Sequence, residues 1–264
     1  MSAHPDPRHS FEEIEAHLAE SPNNQELLRQ KAGVYLSINQ AEEAAAVAAL
    51  VLQLGPEDPE NLLVDARITL AKGEKEAAAI KARALVARHP QHEAAWRFLG
   101  TAEELAGHRS EAIAALRKFL NLSTHPGPSE VLTCAGWLQE RGEAGDVEEA
   151  IAVLDQGLAR IGCLTGLHHK AIEIELGLGR YGSALGRIDA LTARFRPSVD
   201  LSLRRADILE KAGRFKEAAA ACDSALALLE MLPSARKKSD AYQRQFEAVA
   251  KRKAEDLEKA ASAP

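Results

Sequence analysis

Apolar residues along this chain fall three and four positions apart, in stretches of about three to four helical turns separated by Gly, Pro, Asn or Asp. That spacing puts them on one face of a helix, so each stretch predicts an amphipathic helix with a face to bury. The punctuation repeats. Pro22, Pro56 and Pro90 each close an apolar helical stretch, and both intervals between them are 34 residues. Proline ends a helix because it lacks an amide donor and restricts the residue before it. A period of this length holds a helix, a turn and a second helix, and a chain of such units buries its apolar faces between neighbours.

Small residues recur in the same register. One unit carries Leu28, Ala32, Tyr35, Ala44, Val51 and Pro56; the next carries Leu62, Ala66, Gly73, Ala78, Leu85 and Pro90. Alanine or glycine where two antiparallel helices cross lets the backbones approach, while larger side chains fill the groove beside the crossing. The segment Glu93 to Thr124 is the clearest unit, with Trp96, Leu99-Gly100, Gly107 at the inter-helix turn, Ala112 and Phe119. Its runs Trp96-Arg97-Phe98-Leu99-Gly100 and Glu111-Ala112-Ile113 resemble the tetratricopeptide repeat (TPR) family, with Glu103 where the family has tyrosine. The resemblance covers roughly residues 10–232. It implies an all-α fold, a right-handed α-solenoid of about six helix-turn-helix units over 25–56, 59–90, 93–124, 128–162, 165–197 and 199–232.

The last three units drift. The fourth has Ala135, Gly142 and Ala150, and its turn, Gly142-Glu143-Ala144-Gly145-Asp146, is about three residues longer than the pattern. The fifth has Gly179, Ala184, Leu191 and Pro197; the sixth has Ala206, Leu209, Gly213, Ala218 and Ala225. Residues 1–9 read as a flexible N-terminus, and Ser10 as the N-cap of a half-unit helix with Phe11, Ile14 and Leu18 on one face. Residues 234–260 read as one charged capping helix with Ala241, Phe246, Ala248 and Val249 as its apolar stripe, because the last unit of a stack needs a cover that is polar outside. The turn-rich stretch 123–128 reads as a longer inter-repeat loop, with a hinge between half-arrays as the alternative.

Composition narrows the chemistry. Of 264 residues 46% are apolar but only 4% aromatic, too few for a large sheet. A net charge of -6 lacks the basic excess of a nucleic-acid or anionic-membrane binder. Arg236-Lys237-Lys238 and Lys251-Arg252-Lys253 are interleaved with Asp240, Glu255, Asp256 and Glu258, so they read as a solvated helix face. Cys134, Cys163 and Cys222 are odd in number and widely spaced, which suggests reduced core thiols. Gly177 to Gly182 spells GxGxxG, yet a helix precedes it where a dinucleotide site needs a strand, so it reads as an inter-repeat turn around Gly179. His168 and His169 are helix neighbours about 100° apart and cannot chelate one metal together. No cofactor and no metal is expected. No apolar run approaches ~18 residues and Met1 to Ser10 shows no signal pattern. A cytoplasmic protein without membrane insertion is expected, or a periplasmic or secreted one if a signal peptide has been removed.

In the family resembled, the first helices of successive units line a concave groove that takes peptides or partner domains. Carried over unit by unit, the groove positions are Arg29 and Gly33; Leu63, Arg67 and Leu70; Arg97, Thr101 and Glu104; Leu132, Gly136 and Gln139; His169 and Glu173; and Arg204 and Asp207. Arg29, Arg67 and Arg97 would form a basic row suited to carboxylates, which a guanidinium binds through paired charge-assisted hydrogen bonds. The competing reading pairs them with neighbouring groove acids. Repeat domains that clamp acidic chaperone tails carry Lys, Asn and Arg at fixed places, where this chain has Arg29, Gly33, Val64, Ala94 and Phe98, so that ligand is not expected. The resemblance therefore implies an adaptor or scaffold, monomeric, holding a protein or peptide of acidic character. The alternatives are a self-assembling oligomer and an enzyme using His169 and Glu173, one helical turn apart.

Overall fold

The period is visible in the backbone as a left-handed residue in the turn of every unit, joined in the fourth by Gly145. Asn39, Gly73, Gly107, Gly142, Gly179 and Gly213 have φ between 60° and 91°, and each sits in the turn between the two helices of a unit. The first three are 34 residues apart. A Cβ is costly in that conformation, so glycine, or asparagine once, stands where the chain leaves the first helix and reverses.

The structure is a computed structural model that describes residues 7–262, with side chains from Phe11 onward. Among these residues there are fifteen helices and no strand. After α1 (Pro7–Glu20) come the pairs α2 (Gln25–Ser37) and α3 (Ala41–Leu54), α4 (Pro59–Ala71) and α5 (Lys75–Arg88), and α6 (Glu93–Ala106) and α7 (Arg109–Leu122). The pairs α8 (Pro128–Arg141) and α9 (Asp146–Ile161), α10 (Thr165–Gly177) and α11 (Tyr181–Arg194), and α12 (Val199–Lys211) and α13 (Phe215–Glu230) follow, then α14 (Ser234–Lys237) and α15 (Asp240–Ser262). The chain divides into two compact units, Met1–Thr124 and His125–Pro264.

Local chemistry sets the helix ends. Helices α1, α3 and α5 stop two residues before Pro22, Pro56 and Pro90. Asn24 accepts from the amides of Glu26 and Leu27, Asp58 from Glu60 with Pro59 as first helical residue, and Ser198 from Leu201. The crossings are made by alanines with no exposed surface: Ala32, Ala66, Ala135, Ala171 and Ala206 on first helices, and Ala44, Ala78, Ala112, Ala150, Ala184 and Ala218 on second helices. Gly100 completes the first series; a Cβ there would lie 3.4 Å from the Ala112 carbonyl oxygen and 3.5 Å from Leu116 Cβ. These are ordinary contact distances, so the site has room for a methyl group, and a side chain larger than alanine would wedge α6 from α7.

In the first unit, α2 touches α4 and α4 touches α6, so first helices lie side by side. Trp96 donates its indole N–H to the Pro90 carbonyl at 2.9 Å, tying α6 to the loop before it. At the N-terminal end Ile14 and Leu18 bury against Leu28 and Val51, and Phe11 meets Tyr35 edge-on at 5.3 Å. Helix α1 starts at Pro7 rather than at Ser10, because proline's fixed φ suits a first helical position. The first six of the residues expected to be flexible lie outside the described residues.

In the second unit one core runs from Ile172 through Ile188, Ile208 and Leu229 to Val249 of α15. Three expectations change here. The turn from α8 to α9 has four residues, Gly142 to Gly145, and the remaining insertion lengthens α9; Asp146 bonds Arg141 and the Glu143 amide, closing the turn. Gly179 lies between the two helices of its unit, not between units. The last helix begins at Asp240, after a break at Lys238 and Ser239 where Ser239 Oγ accepts from the Tyr242 amide at 3.3 Å. Its inward stripe is Tyr242, Phe246, Val249 and Asp256, while Ala241 and Ala248 are exposed, since helical spacing from Val249 selects the former set.

Candidate functional site

The first-helix face of the first unit contains the basic row, and its members differ. Arg29 lies in a cage: Nη1 donates to Asn61 Oδ1 at 2.8 Å and Asp58 Oδ2 at 3.4 Å, and Nη2 to Glu26 Oε2 at 2.7 Å. Desolvation alone would lower its pKa, but Glu26 and Asp58 outweigh it and hold the guanidinium above its ordinary range. Asn61 is oriented in turn by Gln25 and by the carbonyls of Gly55 and Val51. Arg29 thus staples α2 to α4.

Arg67 is different. It is exposed and makes no hydrogen bond or ion pair among the described residues. Its pKa lies below the ordinary arginine value, through desolvation first and then the positive charge of Arg97, against the pull of Glu60. It remains charged at physiological pH, so the site holds a cation without a matched anion. Arg97 stands 5.9 Å from the Phe119 ring centroid, Thr101 donates to the Arg97 carbonyl, and Glu104 pairs with Arg109 at 2.9 Å. Leu63, expected on this face, is buried among Ala66, Ala78 and Ala82 and cannot meet a partner, because its side chain fills the space beside a crossing. Leu70 is half-buried, and Gly33 opens onto empty space.

Glu103, at the family's tyrosine position, is 1% exposed. Arg83 of α5 grips it through Nε to Oε1 at 2.5 Å and Nη2 to Oε2 at 2.6 Å, and His108 Nδ1 lies 2.9 Å from Oε2. Burial pushes this carboxyl up, yet the bonds from Arg83 and His108 prevail and hold it below its ordinary value. The group locks α5, α6 and the start of α7 together.

On the second unit, Leu132 and Gly136 are half-buried and Gln139 is exposed. Glu173 pairs with Lys170 at 3.0 Å rather than with His169, whose Nε2 is enclosed without a partner. Desolvation, then Arg204, keep the His169 imidazole below its usual pKa. Cys163 is only half-buried, not a core thiol, because it lies in the loop after α9; its Sγ is 3.4 Å from His168 Nε2. On α12, Arg204 bonds Asp200 at 3.0 Å, while Asp207 and Glu210 are both held at 2.5 Å by Arg252 of α15. Between α10 and α12 lies a cavity of about 240 Å³ with a floor of Ile172, Leu176 and Ile208. Sequence reasoning placed Arg204 and Asp207 here but missed Ile208 and Lys211, which the same three- and four-residue spacing puts on that face.

Helix pairs at a near-constant period, packed through invariably enclosed alanines, define a helical-repeat protein. Residues 170–235 match the family described as Tetratricopeptide repeat, and residues 60–128 match that described as Bacterial transcriptional activator domain. Residues 170–235 thus carry a tetratricopeptide-repeat segment, and the helix pairs before and after it repeat the same arrangement. Among solved structures, Pseudomonas aeruginosa pilF is 14% identical over 85% of this chain and 96% of that one, with a TM-score of 0.52. YrrB, described as a TPR protein with an unusual peptide-binding site, is 14% identical over 69% of this chain and 91% of that one, at 0.50. A tetratricopeptide repeat protein from Parabacteroides merdae is 16% identical over 91% of each chain, at 0.46. No curated protein matches the chain. Among the described residues no helix is long and apolar enough to cross a membrane.

Proposed function

We propose that the protein is a monomeric, non-catalytic adaptor that holds a segment of another protein on the first-helix face of α4 and α6, with a carboxylate of that segment on Arg67. The observation that carries this reading is the unmatched guanidinium of Arg67 beside Arg97, on the face where Arg29 is already engaged. A carboxylate arriving there relieves like-charge repulsion and gains charge-assisted hydrogen bonds, which favours acidic partners over neutral ones. YrrB, a neighbour in fold, is described as having a peptide-binding site, which supports a peptide as the kind of partner. Affinity capture with the intact chain and with Arg67→Glu tests it. Partners enriched by the parent should fall at least about tenfold in the variant, since one such bond is worth about that much. An unchanged partner set from a folded Arg67→Glu protein rejects the assignment.

A further inference from the structure

The second unit holds a pair of side chains for which partner binding has no use. Cys163 lies in the loop 162–164 between α9 and α10, and His168 lies in the first turn of α10, with Sγ and Nε2 3.4 Å apart. His168 is 7% exposed, and the thiol is the one hydrogen-bonding contact of its ring among the described residues, since Nδ1 has none. An imidazole enclosed with one nitrogen unmatched is costly to the fold, and packing alone would be met by an apolar side chain. Desolvation, then Arg187, hold its pKa below the ordinary histidine value, against Asp155, so the ring is neutral at physiological pH. With its proton on Nδ1, it presents the Nε2 lone pair to the thiol. The three thiols are unequal. Cys134 and Cys222 have no exposed surface, whereas Cys163 is half-buried and open to a small solute. Gly162 before it has φ 101° and ψ −175°, a conformation that glycine alone adopts readily, and this sets the course of the loop. No side chain caps α10, whose N-cap is Leu164, so the partial positive charge of its first turn is left unanswered one residue after Cys163.

We infer that Cys163 is an oxidation site for hydrogen peroxide, with His168 as the base that takes its proton. The sulfur lone pair attacks one peroxide oxygen: the S–O bond forms, the O–O bond breaks, and two electrons pass from sulfur to peroxide. The thiol proton moves to Nε2 and on to the departing hydroxide, which leaves as water, and Cys163 becomes a sulfenic acid. Cys134 and Cys222 are enclosed within α8 and α13 and do not reach it. A low-molecular-weight thiol condenses with it instead, forming an S–S bond and releasing a second water. The inference goes beyond the adaptor reading and asks nothing of Arg67.

The test treats the intact chain with hydrogen peroxide in the presence of dimedone, which traps sulfenic acids, and follows the adduct by intact mass and peptide mapping. One adduct should form, on Cys163, and none in Cys163→Ser. It should form at least about tenfold faster than on a synthetic peptide of residues 160–166, which has the thiol without the imidazole, because a positioned base is worth at least that much. His168→Gln keeps a polar side chain but has no base, and should form the adduct at least about tenfold more slowly while its helical circular dichroism is unchanged. Glutathione added in place of dimedone should give a mixed disulfide on the same residue. An adduct on Cys134 or Cys222, a rate in the intact chain no greater than in the peptide, or an unchanged rate in folded His168→Gln overturns the assignment. Should that variant fail to fold, the comparison of the intact chain with the peptide still decides it.

Discussion

Glu103 of α6 and Asp256 of α15 are both enclosed carboxylates at positions where helical spacing calls for apolar residues, and the two helices treat them in opposite ways. Glu103 receives Arg83 on both oxygens and His108 on one, and its pKa lies below the ordinary value. Among the described residues no amide, hydroxyl or cationic donor reaches either oxygen of Asp256, and its polar neighbour is the Glu210 carboxyl, to which it can bond only when one of the two is protonated. Desolvation, and then the Glu210 carboxylate beside it, push its pKa up, against Lys259 and Arg252. Asp207 of α12 and Cys222 of α13 lie near the same cluster; burial raises that thiol as well, with Arg252 opposing and Asp256 adding to the rise. Equal burial therefore shifts the two carboxyl pKa values in opposite directions, and the number of donors decides which. Inside the array the acid is a fixed anion that cross-links helices. Under the capping helix burial beside a second carboxylate shifts the balance toward the protonated acid.

The largest test of this contrast is Glu103→Ala, which removes a buried anion held by three contacts. A stability loss of about 2–3 kcal/mol is expected, less than for a fully buried pair because Arg83 can rehydrate. Urea unfolding followed through Trp96, on α6 itself, measures it in a Trp137→Phe background, since repeat arrays need not unfold as one unit. A loss no larger than that of an exposed substitution would erase the distinction. The pH signs also differ. Glu103, with a lowered folded pKa, contributes fully above the ordinary carboxylate range, and that stability disappears as pH falls through the lowered value.

Next in size is Arg252→Ala. It removes the bonds to Asp207 and Glu210 and leaves Lys259 as the remaining cation that opposes the charge of Glu210 at Asp256. Both acids are partly solvated, so about 1–2 kcal/mol is expected. Faster amide hydrogen exchange along α15, with α4 to α7 unchanged, is the predicted pattern. Exchange that accelerates equally in both units would mean that the effect is not local to the cap.

The repeat was legible because it is written in residues whose roles are local: the helix-ending prolines, the small residues at crossings, and the glycines at the turns. Glu103 was visible only as a departure from the tyrosine pattern. Its partners are 20 residues earlier and 5 later, and which residues meet depends on how α5 lies against α6. The same holds for Arg29, whose cage comes from Asp58 and Asn61 on the next first helix, 29 and 32 residues away. Sequence predicts a row of arginines on one face, but not which of them is already engaged. On α15 the alternative stripe through Ala241 and Ala248 was equally apolar by residue type. Packing of Tyr242, Phe246 and Val249 on α13 and its neighbours chose the other face and turned Asp256 inward.

The smallest expected effect discriminates most sharply. Asp256→Asn keeps the shape of the side chain, removes the charge and supplies an amide that can donate to Glu210. Asp256 has a raised folded pKa, so its favourable contribution is complete below the unfolded carboxylate range and is lost as pH rises through the folded value. The wild-type cap should therefore be held most firmly in mild acid and loosen toward neutrality, the reverse of the trend at Glu103. In Asp256→Asn that loosening should vanish, with a gain of about 0.5–1 kcal/mol at neutral pH, the size of one ordinary hydrogen bond, and little change in acid. Hydrogen exchange of the α15 amides across pH, corrected for intrinsic rates, reads this directly. A parallel offset between the two proteins at every pH would show that Asp256 is ionised throughout and that the opposition between the two carboxylates is one of packing alone.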